Sequence, residues 1–115
     1  MTGAWDLNLN QGADYATVFT WTSGSTGLLV NLTGWSAHLQ IREGWTGPVI
    51  LDLSSTAGGI ILGGAAGTIT VAITNVQTSA LNFGTAAWDL KMTNPSGQVT
   101  RLLQGIVYLA PEVTV

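Results

Sequence analysis

Apolar and polar residues alternate along short stretches of this chain, and that period of two predicts strands rather than helices. In "WSAHLQIREG", residues 35–44, Trp35, Ala37, Leu39 and Ile41 share one face, while Ser36, His38, Gln40 and Arg42 share the other. With 35–43, the segments 4–9, 15–22, 48–53, 60–62, 67–74, 86–93 and 98–109 form the candidate strands. Tyr15, Thr17, Phe19 and Trp21 oppose Ala16, Val18 and Thr20. Ile69, Val71 and Ile73 oppose Thr68, Thr70, Ala72 and Thr74, and Trp88, Leu90 and Met92 oppose Asp89, Lys91 and Thr93.

The gaps carry turn chemistry. "TSGSTG" (22–27), "EGWTGP" (43–48), "STAGG" (55–59), "GGAAG" (63–67) and "NPSG" (94–97) supply the Gly, Asn and Pro that turns require, and "NPSG" predicts a type I turn between two strands. Seven or eight short strands at this spacing predict an all-β fold, a single antiparallel immunoglobulin-like β-sandwich over residues 1–115. "TNVQTSALNFG" (74–84) breaks the alternation and predicts one helical turn from Gln77 to Leu81 capped by Asn75. The tetrapeptide "AWDL" occurs at 4–7 and 87–90, and in each copy the expected arrangement is Trp and Leu inward, Asp outward.

Composition changes this picture in one respect. Charged residues make up 8% of the chain, against about 25% in typical soluble domains. Thr, Ser, Asn and Gln carry the polar faces, and covering such groups costs less than covering charges. The surface therefore suits an assembly. Three Lys and Arg against six Asp and Glu give a net charge of −3, and the cations are scattered along the sequence, so no nucleic-acid partner is expected. No apolar run approaches the roughly 20 residues that span a bilayer, the N-terminus lacks a signal-peptide pattern, and no membrane partner is expected. The absence of cysteine removes disulfides, thiolate metal sites and a cysteine nucleophile.

The search for chemistry is brief. The single histidine, His38, lies on a polar strand face, and neither an imidazole metal site nor a Ser-His-Asp triad is proposed by its neighbours in sequence. The carboxylates Asp6, Asp14, Glu43, Asp52, Asp89 and Glu112 are scattered rather than paired. Arg42 and Glu43 read as ordinary surface charges, "GGAAG" lacks the Lys-Ser/Thr of a phosphate loop, and "NLT" (31–33) reads as a turn at a strand entry. No enzymatic activity, cofactor or metal is expected. Of the five tryptophans, Trp21 and Trp35 are in phase with core positions, whereas Trp45 lies in a glycine-flanked turn and is the expected exposed anchor for a partner.

The runs "NQGADYATVFTWTSG", "VNLTGWSAHLQIRE", "GGIILGGAAGTITVAIT" and "AWDLKMTNPSGQVTRLLQGIVYLAPEVT" together span nearly the whole chain. In their order and spacing they resemble the small β-sandwich structural proteins of tailed bacteriophages, related to the N-terminal sandwich of baseplate and tail-fibre adaptor proteins. The resemblance implies a non-enzymatic virion component, made in the host bacterial cytoplasm and docked in many copies, or as a homo-oligomer, onto other phage proteins of the capsid, neck or tail. Because the chain ends just after the sandwich, a decoration or accessory subunit is expected rather than an adaptor. The expected contacts are Trp45, Pro48, the turn Asn94, Pro95, Ser96 and Gly97, and Pro111, Glu112 and Val113 of a terminal arm. The alternative is a carbohydrate-binding module for host-surface glycans, which predicts at least two tryptophans exposed on one face, Trp21, Trp35 and Trp45 being the candidates if they share one.

Overall fold

The computed structural model describes residues 3–22, 27–82 and 84–110. Their strands are β1 (Gly3–Ala4), β2 (Leu7–Asn10), β3 (Tyr15–Thr20), β4 (Ser36–Arg42), β5 (Val49–Ser54), β6 (Ile60–Leu62), β7 (Thr68–Ile73), β8 (Thr85–Thr93) and β9 (Val99–Ala110). They form two layers. The larger sheet runs β1-β9-β8-β4-β5, with β2 also on β9, and the smaller runs β3-β7-β6.

This is the strand distribution of an immunoglobulin-like sandwich, in which the central β4–β5 hairpin joins the sheet that also holds the last two strands and the chain then crosses to the smaller sheet. Two details depart from the expected arrangement. The first segment is two short strands rather than one, and both pair with β9 in parallel, so the sandwich is not wholly antiparallel. The break falls at Trp5 and Asp6 because their polar groups are diverted: the Trp88 indole N–H donates to the Trp5 carbonyl at 2.8 Å, and the Asp6 carboxylate accepts from the Ile106 N–H at 3.0 Å. Trp5 is consequently half exposed, at 51%, whereas its counterpart Trp88 is buried as expected.

The core follows the alternation. Ala37, Leu39 and Ile41 from β4, Trp88, Leu90 and Met92 from β8, and Val107 and Leu109 from β9 face Ile69, Val71 and Ile73 of β7. Burying each large aliphatic side chain contributes about 1.5–3 kcal/mol. Antibody domains join the second strand of one sheet to the penultimate strand of the other by a disulfide. Here the rings of Phe19 on β3 and Trp88 on β8 make that connection, stacked at 6.4 Å.

The helical turn forms one residue cluster earlier than expected, as α1 (Asn75–Ser79), and its cap is Thr74 rather than Asn75. Thr74 Oγ1 accepts from the Gln77 N–H, and the Gln77 side chain accepts from the Thr74 N–H, a reciprocal capping box. The buried Thr78 hydroxyl donates to the Ala13 carbonyl at 2.9 Å and holds this turn against the end of the sandwich. Residues 94–97 form the expected turn between β8 and β9: the Gly97 N–H donates to the Asn94 carbonyl at 2.9 Å, and Gly97 takes φ +89°.

Candidate functional site

The outer face of the large sheet concentrates the scarce charge of the chain. Strand pairing sets His38 opposite Lys91, and Lys91 opposite Arg101, so a basic row crosses β4, β8 and β9. The next row is Asp52, Gln40, Asp89 and Gln104, and Arg42 stands at the end of β4. All three Lys and Arg residues and the only histidine thus occupy one face. Adjacent strands are about 4.8 Å apart, so Lys91 and Arg101 are like charges placed directly opposite one another, an arrangement that destabilises a sheet on its own.

The acidic row compensates in part. Asp89 meets Arg101 at 3.4 Å, and Asp52 holds His38 Nε2 at 2.6 Å. The Gln40 amide also donates to Asp52 at 3.0 Å, while the Arg42 guanidinium donates to Gln40 Oε1 at 3.2 Å. The Gln40 hydrogen bond is the main reason the Asp52 carboxyl titrates below its ordinary 3.8; slight desolvation opposes it, and the His38 contact adds to the lowering. Lys91 makes no ion pair among the described residues.

These groups border a shallow pocket of ≈ 220 Å³, with His38, Arg42, Asp89, Lys91 and Arg101 around it and Trp45 on its rim. Trp45 is 58% exposed, which the sequence-based reading of its glycine-flanked turn anticipated. The Glu43 N–H donates to the Pro48 carbonyl at 3.1 Å and closes the loop that presents it. The pocket can receive an anionic group against a guanidinium or ammonium, with an indole wall beside it.

Pro48 belongs to this same loop, but the 94–97 turn lies elsewhere. Ser36 pairs with Thr93, so the 94–97 turn sits at the Ser36 end of β4, whereas Trp45 follows its Arg42 end. Seven strand residues, about 20 Å, separate them. Asn94 Oδ1 accepts from the Ser96 and Gln98 N–H groups, which spends that side chain on the turn itself. Pro111, Glu112 and Val113 lie outside the described residues. Nor do three tryptophans share a platform: Trp21 and Trp35 pack edge to face at 5.3 Å and are half-buried, away from Trp45.

The basic row was the part that sequence reading missed. Along the sequence His38 stands alone and the cations are scattered. Alternation correctly turned His38, Arg42 and Lys91 outward, but a transverse neighbour is set by inter-strand register, and the irregularity between Leu90 and Lys91 decides that Arg101 completes the row. Asp52 reaches His38 for the same reason, since it pairs with Gln40 and is diagonal to His38.

No family model and no curated protein matches the chain. Similar solved structures include an extracellular domain of the voltage-gated sodium channel beta4 subunit, whose parallel homodimers are described as explaining its role in cell-cell adhesion. It is 12% identical, over 98% of this chain and 96% of that one, with a TM-score of 0.48. A second comes from photo-crosslinking work on cell-adhesive interactions of the same channel's β subunits; it is 13% identical, over 95% of this chain and 92% of that one, with a TM-score of 0.47. The bacteriophage virion reading is corrected accordingly: both of these structures, each aligned along nearly the whole chain, come from sodium-channel beta subunits and not from phage structural proteins. At these scores the likeness concerns architecture, and no function passes through it.

Proposed function

We propose that this chain is a non-enzymatic recognition domain that docks a protein partner on the outer face of its large sheet, and that the partner presents an acidic segment with an apolar side chain. The observation that carries this reading is the gathering of Arg42, Lys91, Arg101 and His38 around one pocket with the exposed Trp45 on its rim, in a chain of net charge −3. Lys91 opposite Arg101 costs the isolated sheet stability, and a bound carboxylate relieves that repulsion. Trp45 supplies the contact area that surface charges alone do not, because exposed ion pairs contribute about 0.2–1 kcal/mol each while a tryptophan anchor contributes 2 kcal/mol or more. The low charge elsewhere on the chain favours coverage by a neighbour.

The test is a titration of the ¹⁵N-labelled domain with short Asp- and Glu-rich peptides bearing a Leu or Phe. Expected are shift changes confined to β4, β8, β9 and the Trp45 indole, weakened by salt, with a roughly tenfold loss of affinity in Lys91→Glu and a larger loss in Trp45→Ala. Binding that is insensitive to both substitutions, or no binding to acidic peptides alongside binding to basic ones, removes the reading.

A further inference from the structure

A sheet has two edges, and three of the four edges here are blunted. On β5, Pro48 precedes the strand, the pairing with β4 is irregular at Ile41 and Arg42, and Asp52 projects from it. The β6 edge is three residues long and lies between Gly59 and Gly63. On the far side of β9, the pairing is interrupted at Trp5 and Asp6. Such features are how sheets avoid joining one another. The fourth edge, β3, has none of them: Tyr15–Thr20 is six residues without charge, proline or bulge, and among the described residues it pairs with β7 alone.

The register shows which groups this edge offers. The Trp21 N–H donates to the Gly67 carbonyl at 2.8 Å, continuing the pairing of Phe19 with Ile69. Odd-numbered residues of β3 therefore point their backbone groups at β7, and Ala16, Val18 and Thr20 point theirs outward. The sandwich is also open along this side. Tyr15, Thr17 and Phe19 are only half-buried, whereas their partners Ile73, Val71 and Ile69 are fully buried. Beside them runs a groove of ≈ 450 Å³ whose apolar wall is formed by Trp5, Phe19, Leu102 and Leu103, with Thr20 and Thr22 also lining it.

We propose that two copies of this chain join through β3, antiparallel and related by a two-fold axis at Val18, into one continuous six-stranded sheet. The second copy is the occupant because the edge complements itself. In a two-fold contact the same patch meets itself, residue i facing j and j facing i, so an edge carrying charge of one sign repels its copy and a charge-free one does not. No charged residue occurs between Tyr15 and Thr22, and the flanking Asp14 is engaged, its carboxylate accepting from the Asn75 N–H at 2.6 Å. Val18, 58% exposed, faces Val18 of the second copy, Ala16 faces Thr20, and roughly six N–H···O bonds form. The two grooves, with their Trp5 rings, close over one another. This edge belongs to the small sheet and shares no residue with the basic row, so either proposal stands without the other.

Sedimentation equilibrium on the whole chain tests it. Expected are a concentration-dependent dimer for the unaltered chain, a monomer for Val18→Lys, and an unchanged dimer for Lys91→Glu. Because Val18 is exposed, circular dichroism should show Val18→Lys folded. Mixing Val18→Lys with Val18→Glu restores a dimer, since only a two-fold axis at residue 18 sets the new charges side by side. A monomer at millimolar concentration, a Val18→Lys chain that still dimerises, or a mixture that remains monomeric overturns the proposal.

Discussion

Asp52 shows how little of a residue's behaviour lies in its own identity. Its carboxylate belongs to an exposed strand position, yet it accepts from Gln40 and His38 on the neighbouring strand and titrates below 3.8. The folded state thus prefers the ionised form. The resulting stability is present above the unfolded value near 3.8 and is lost as pH falls through the lowered folded value. Because both partners are about half exposed, the effect is about 0.5 kcal/mol or less. Asp52→Asn is expected to lower stability by that amount at neutral pH and to match the unaltered chain at pH 2, as read from urea midpoints. A difference of the same size at both pH values removes the ionised carboxylate as the cause.

Among the elements, the approach of the N-terminal segment to β9 is the tightest. Gly105 pairs with Trp88, and a Cβ at Gly105 collides with the Trp5 carbonyl oxygen that already accepts from the Trp88 indole. Glycine is needed here for closeness rather than for an unusual φ. Gly105→Ala is expected to destabilise by about 1–3 kcal/mol, the usual cost of overpacking. Gly84→Ala is the control, because open space surrounds that position. Equal losses in the two variants would mean that the close approach is unimportant. The "AWDL" segment at 4–7 illustrates the limit of pattern reading: its alternation correctly turned Leu7 inward, but the hydrogen bonds that interrupt the strand at Trp5 and Asp6 come from residues 83 and 100 positions away.

For the molecule as a whole, the two sheets share one core without a covalent link, and the Phe19 and Trp88 stack is one of the contacts that cross it. Phe19→Ala is expected to cost about 2–4 kcal/mol, less than a fully enclosed phenylalanine because the β3 edge is open. Far-UV dichroism and tryptophan fluorescence should still report one shared urea transition, moved to lower concentration. Two separated transitions would show instead that, once the stack is removed, the sheets unfold independently and that the stack was what coupled them.

Strand positions, their inward and outward faces, the turns and the two-layer class were legible in the sequence because they follow from local chemistry: a side-chain period of two, and glycine, proline and asparagine where the chain reverses. The exposure of Trp45 was legible for the same reason. Which strands become neighbours, and in what register, is a property of distant segments meeting, and no local pattern encodes it. Tertiary structure alone therefore placed Trp45 and the 94–97 turn at opposite ends of the large sheet, and drew His38, Lys91 and Arg101 into one row. It alone left β3 as the open edge, because the first segment pairs with β9 instead of continuing the small sheet.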